Sequence, residues 1–167
     1  MKFLLITLAA LTVSASAQIS VKLGDKIADL PKCPSETSMC IEPNGRPVLV
    51  PYKPFADEAA INNETAVIVF PKALRPAIVA GDSVLVMVID GRIEAYTYYT
   101  RGRTSAKSDL NALTSAFGNP TRSKTRGQRL LCIWDGDDIN VRFESEAPEK
   151  DAGTILVTSA RFRAFKR

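Results

Sequence analysis

The chain contains no histidine. That absence excludes Ser-His-Asp and Cys-His nucleophilic sites and any metal centre built on imidazole. Cysteine is scarce, limited to Cys33, Cys40 and Cys132. Their spacing is not C-x-x-C, so neither a redox dithiol nor a zinc site is indicated. After residue 17 no apolar run approaches the roughly 18 to 20 residues that cross a bilayer as a helix. There is no internal repeat and no low-complexity tract. Charge of one sign is also lacking: 22 Lys and Arg stand against 18 Asp and Glu, a balance that does not imply nucleic acid. No cofactor or metal is assigned by any of this.

What is present begins with an export signal. Lys2 is followed by an apolar run from Phe3 to Val13 and the small residues Ser14-Ala15-Ser16-Ala17, in which Ala15 and Ala17 fit an A-x-A cleavage site. Residues 1–17 therefore read as a cleaved signal peptide, and the mature protein is expected to start at Gln18 and to be periplasmic or secreted. Losing Lys2 leaves 21 basic against 18 acidic residues, a net charge of +3. About 150 residues remain, the size of one domain with one core. A composition 46% hydrophobic and 24% charged suits a folded domain.

In an oxidising compartment Cys33 and Cys40 are the expected disulfide, because they flank a short polar stretch that closes at low entropic cost. Cys132, inside Leu130-Leu131-Cys132-Ile133-Trp134, reads as a buried thiol. Residues 18–64 are rich in proline, including Pro31, Pro34, Pro43, Pro47, Pro51 and Pro54, with an Asn44-Gly45 turn, and read as an irregular, disulfide-pinned lead-in. Residues 65–167 carry the regular elements and pack with the lead-in as one domain.

A β-prone run covers residues 66–70. Ser83–Ile89 and Arg92–Thr100 flank Asp90-Gly91, a hairpin signal. Residues 105–117 carry Ala106, Leu110, Leu113 and Phe117 on one helical stripe, with Thr104 or Ser105 as cap and Gly118 at the exit. A second hairpin turns at Asp135-Gly136-Asp137, and a last strand is expected from Gly153 to Phe165, with Leu156, Thr158, Ala160, Phe162 and Ala164 sharing its buried face. The sum is an α+β domain: an antiparallel sheet of about five to six strands with one helix on one face, preceded by a Pro-rich disulfide-pinned segment.

The charge pattern supplies the candidate functional residues. Arg101, Arg103, Lys107, Arg122, Lys124, Arg126 and Arg129 face a single acidic residue, Asp109, between positions 101 and 129. The loops at both ends of the helix are expected to form a basic rim, with Arg101, Arg103, Arg122, Lys124 and Arg126 as contacts. Tyr96 and Tyr98 share one strand face and would add a Tyr-Arg patch if exposed, or belong to the core if that face packs the helix. Asp135-Gly136-Asp137-Asp138 resembles a fragment of a calcium loop but lacks its spacing, so a hairpin turn is expected there. Asn63-Glu64-Thr65 matches a glycosylation acceptor.

The expected function is an exported, non-catalytic binding module whose partner is a protein, in the manner of an inhibitor or immunity protein. The alternatives are a structural protein that binds an anionic envelope polymer or lipid surface, and an envelope-polymer hydrolase using paired carboxylates. Expression of the full chain in a secreting host should yield a mature species whose N-terminal sequence starts at Gln18, and retention of Met1 in the exported protein would contradict the signal-peptide reading.

Overall fold

Short β-branched runs separated by tight turns pair edge to edge, and the result is an eight-stranded antiparallel sheet. The computed structural model describes residues 21–42, 64–146 and 152–165. The expected signal segment, the Asn44-Gly45 turn, Asn63 and most of the proline-rich stretch lie outside the described residues. The strands are β1 (Cys40–Ile41), β2 (Glu64–Val69), β3 (Ser83–Ile89), β4 (Arg92–Thr100), β5 (Arg122–Arg126), β6 (Arg129–Asp135), β7 (Ile139–Glu144) and β8 (Gly153–Ser159). Helix α1 (Ala106–Phe117) connects β4 to β5, and a short helix α2 (Ala160–Phe165) follows β8. Spatial order is β1-β2-β3-β4-β8-β7-β6-β5. Two meanders, each with neighbours consecutive in sequence, thus meet at the β4–β8 seam.

Each tight turn has its chemistry. In the β3–β4 hairpin Asp90 and Gly91 have φ of 50° and 73°, the pair of positive values of a type I′ turn, whose twist matches that of the strands it joins. Arg126 and Arg129 flank Gly127-Gln128, and Gly127 has φ of 60°, as expected for glycine opening a type II′ turn. One irregularity interrupts β4: Met87 pairs with Ala95 but Val88 pairs with Ile93, so Glu94 is the extra residue of a β-bulge. Its carboxylate accepts a hydrogen bond from Ser159 Oγ at 2.6 Å.

Alternation divides the residues between two faces. One face carries Val84, Val86, Tyr96, Tyr98, Trp134, Val141, Phe143, Ile155 and Val157, the main core. Helix α1 lies on it through buried Leu113, with Ala106, Leu110 and Phe117 packed against the cluster, so the expected stripe is the one that is used. Trp134 Nε1 donates to the Gly118 carbonyl at 2.7 Å and ties the helix exit to the sheet. The opposite face holds a second cluster, Val67, Leu85, Met87, Ile89 and Ala95, covered by Phe162 of α2.

The sheet has more strands than the five to six expected, partly because the lead-in supplies β1, with Cys40 opposite Val69. The final strand also ends earlier than expected. It stops at Ser159, whose Oγ accepts a hydrogen bond from the Phe162 backbone N–H at 3.0 Å and caps α2. Phe162 is therefore buried by a helix, and Ile155 and Val157, rather than Leu156 and Thr158, face the main core. The Cys33–Cys40 disulfide is formed, with an S–S distance of 1.99 Å and a Cα–Cα distance of 5.0 Å. Cys132 is a free, buried cysteine, and burial pushes its thiol pKa up.

Gly153 sits where the two meanders close. A Cβ there would lie 2.5 Å from Thr100 Oγ1 and 2.8 Å from the Glu144 carbonyl oxygen, and the latter belongs to a paired strand that cannot yield easily. Gly153→Ala should lower stability by about 2 kcal/mol through overpacking, read as a lower urea midpoint in the fluorescence of the sole tryptophan, Trp134.

Candidate functional site

Five consecutive polar residues, Arg122-Ser123-Lys124-Thr125-Arg126, form β5, and all five are exposed. They make a strand because Gly127-Gln128 folds them back onto the apolar β6. Alternation then sends Arg122, Lys124 and Arg126 to one face of the sheet and Ser123 and Thr125 to the other. Register carries this across the fold. Lys124 stands opposite Leu131, which stands opposite Glu144, then Thr154, then Tyr99. Ser123 aligns instead with Cys132, Phe143, Ile155 and Tyr98. The three basic residues of β5 therefore lie on the face away from α1.

On that face the half-buried side chains of Leu131 and Ile133 lie beside the basic row. A groove of about 530 Å³ runs there, lined by Thr121, Arg122, Ser123, Lys124, Leu131 and Ile133. The charge behind it is organised by Glu144, whose side chain is 4% exposed and pairs with both Arg129 and Arg142. Arg142 Nε donates to Glu144 Oε1 at 2.7 Å. Burying this carboxylate is tolerable because two guanidinium groups satisfy it. Arg122 is held by Asp135, with Nε at 3.1 Å and Nη2 at 2.6 Å from Oδ2. Lys124 and Arg126 have no ion pair among the described residues, so their charges are the least neutralised of the row.

The expected basic rim is thus reorganised. Arg103, in the 3-10 turn Gly102–Thr104 before α1, reaches the β5–β6 turn by donating to Gln128 Oε1, and it pairs with Glu146. Hydrogen bonding and charge from Arg103 hold the Glu146 carboxyl below its ordinary pKa. Arg101 is exposed at the start of the same turn, and its charge acts on Asp109. Contacts thus connect Arg103 to the hairpin that carries Arg122, Lys124 and Arg126, whereas Arg101 belongs to the helix entry. What was expected to be a loop from 122 to 126 is a strand. Arg129, Arg142, Leu131 and Ile133 join the face through strand pairing, and the signal for them was the alternation Arg-x-Lys-x-Arg ahead of a Gly-containing two-residue turn.

Tyr96 and Tyr98 do not join an exposed Tyr-Arg patch. They are 5% and 3% exposed, and their rings stack at a centroid separation of 6.4 Å on the face that packs α1. Burial pushes the Tyr96 hydroxyl up to about 12. It also raises Tyr98 well above its usual range, helped by the charges of Tyr96 and Asp109. The Tyr98 hydroxyl is buried without a hydrogen-bond partner among the described residues. The Asp135-Gly136-Asp137-Asp138 segment is a turn: Gly136 N–H donates to the Ile139 carbonyl at 3.0 Å, and Asp135 is engaged by Arg122 and Asn140. No cluster of three or more acidic or cysteine side chains suited to a metal occurs among the described residues.

A separate polar cluster lies at the entry of α1. Asp109 is buried, and Ser105 Oγ donates to its Oδ2 at 2.7 Å. Desolvation raises the Asp109 pKa, while hydrogen bonds from Ser105 and Thr100 and the charge of Arg101 oppose that rise. The Ser105 hydroxyl is thereby committed to the helix start.

No protein-family model, curated protein or solved structure matches the chain.

The Asp109 environment has a measurable consequence. A carboxyl whose folded pKa is raised gives its full stabilisation when protonated, below the unfolded value of about 3.9, and that stabilisation is lost as pH rises through the folded pKa. Asp109→Asn keeps an acceptor for Ser105 and cannot ionise. The variant should be more stable than the wild type at pH 7, with the gap closing as pH falls towards 4, and urea midpoints at the two pH values check this.

Proposed function

We propose that the protein is an exported, non-catalytic binding module that engages another protein through the basic half-face built on β5 and β6, as an inhibitor or immunity-type protein does. The observation that carries this reading is the alignment of Arg122, Lys124 and Arg126 on one side of an edge strand beside an apolar strip of Leu131 and Ile133. Charges fixed on a rigid sheet steer association and set orientation, while the apolar strip supplies area to bury. The disulfide is compatible with a secreted or periplasmic setting, and no helix among the described residues is long and apolar enough to cross a membrane.

A second reading, attraction to an anionic envelope polymer or lipid surface, draws on a specific observation. Thr121 through Gln128 are all exposed, so Lys124 and Arg126 could act as charge alone. A carboxylate hydrolase has weaker support: it calls for a protonated acid of raised pKa and an ionised carboxylate in one pocket. Asp109 has a raised pKa but lies beneath the helix entry, while Glu144 is tied to two arginines.

The test is affinity capture from envelope and culture-medium fractions with mature, oxidised protein beside the double variant Lys124→Glu, Arg126→Glu. The expected result is one protein retained in stoichiometric amount at moderate salt and lost by the variant. Retention of no protein, with polymer or lipid held by the wild type at moderate salt and released once salt is raised, would favour the polymer or lipid reading, because attraction by exposed charge alone is screened.

A further inference from the structure

Strand β5 is the last strand at its edge of the described sheet, and the phase of its free backbone groups follows from the turn beside it. Arg126 and Arg129 close a two-residue turn, so they must be a hydrogen-bonded pair, and such pairs alternate along an antiparallel ladder. Arg122, Lys124 and Arg126 therefore spend their N–H and C=O groups on β6. Ser123 and Thr125 present theirs outward. The edge offers, in alternation, backbone groups without a ladder partner among the described strands and cationic side chains that all project to one face.

We infer that this edge accepts an extended acidic segment of a partner protein as a ninth strand, with carboxylates at every second residue. The inference rests on the protein-binding reading above and specifies how that binding occurs. Directly opposed residues on one face of a ladder lie about 4.5–5.5 Å apart at Cβ. An added strand with acidic residues at alternate positions would place them against Arg122, Lys124 and Arg126, and the residues between would fall beside Ser123 and Thr125. A second copy of β5 is a poor occupant, since it would set these cations against one another. Lipid or polymer would satisfy the charges but leave the outward backbone groups of Ser123 and Thr125 unused. Addition of a strand to an exposed edge is a general mode of peptide recognition, in which main-chain bonds give affinity and alternate side chains give specificity.

The test uses the oxidised, full-length mature protein and three synthetic peptides of equal charge. One has glutamate at every second residue with threonine and valine between; one carries the same residues with the glutamates in a block; the third is the alternating peptide N-methylated at the residues that would pair with Ser123 and Thr125. Fluorescence anisotropy should show the alternating peptide binding about ten-fold more tightly than either of the others, the size of effect expected when ladder hydrogen bonds are lost. Amide hydrogen exchange should slow at Ser123 and Thr125 on addition of the alternating peptide. Thr125→Pro, which removes an outward N–H at an edge where proline is tolerated, should weaken binding to the same extent. The N-methylated peptide tests the same contact without altering the protein.

Equal binding of all three peptides would overturn strand addition. If that equal binding were lost in the Lys124→Glu, Arg126→Glu variant, the basic face would stand as a purely electrostatic surface. Failure of the alternating peptide to bind the wild type would also overturn strand addition, and the capture experiment would then decide the broader reading by itself. Binding to phosphatidylglycerol vesicles, sensitive to the double variant and without a preference among the peptides, would reassign the face to lipid.

Discussion

The fold depends on the pairing of β4 with β8. Every other strand pair in the sheet joins strands that follow one another in sequence; this one brings together residues such as Thr97 and Ile155, 58 positions apart, where the threonine hydroxyl also donates to the isoleucine carbonyl at 3.0 Å. Without it there would be two separate four-stranded meanders, and the apolar faces of the two would not join. With it, Tyr96, Tyr98, Ile155 and Val157 form one surface wide enough for α1. A seam between segments so distant carries a large loop-closure cost, so it forms only when burial across it is extensive. Gly153 and Thr100, in near contact at its end, show how closely the two halves approach.

The seam also determines what is left open. Helix α1 covers one face along the centre of the sheet. Helix α2 covers the other through Phe162, over a cluster drawn from β2, β3 and β4 with Leu156 of β8 beside it, and the side chains of β5 at the far edge stay exposed. Polarity follows this division. Leu85 and Met87 occupy covered positions, whereas Arg122, Arg142 and Lys124 occupy equivalent alternation positions farther along the same face. The basic surface is thus the solvated end of a face whose other end is core, and Glu144 is the carboxylate that lets its arginines stand so close together.

Much of this architecture was legible wherever a segment contained its own punctuation. Asp90-Gly91 announced the first hairpin, the spacing of Ala106, Leu110, Leu113 and Phe117 announced the helix face, and the short stretch between Cys33 and Cys40 announced their disulfide. Illegible features were those decided by distant partners. Strand β5 has no apolar residue and becomes a strand only because β6 lies beside it. Beyond Ser159, the alternation of Ala160, Phe162 and Ala164 resembled continued strand, and the serine that caps α2 was the overlooked sign. Tyr96 and Tyr98 suit a wet surface or a core equally well, since each joins an apolar ring to a hydroxyl. Their burial was settled by α1 choosing their face. The candidate binding residues were legible as a charge excess, but their alignment was not, because alignment is a property of pairing.

Cys132 has one more consequence. In the folded chain its sulfur lies in the main core near Phe143 and cannot meet the Cys33–Cys40 bridge. Once the sheet opens, all three sulfurs share one flexible polymer, and at alkaline pH the freed thiolate can attack the bridge and exchange partners with it. A molecule that unfolds slowly and refolds quickly keeps its correct crosslink; one held open for long does not. The native packing around β6 is therefore also the guardian of covalent connectivity, and unfolding of the oxidised protein becomes a one-way process as time and pH increase.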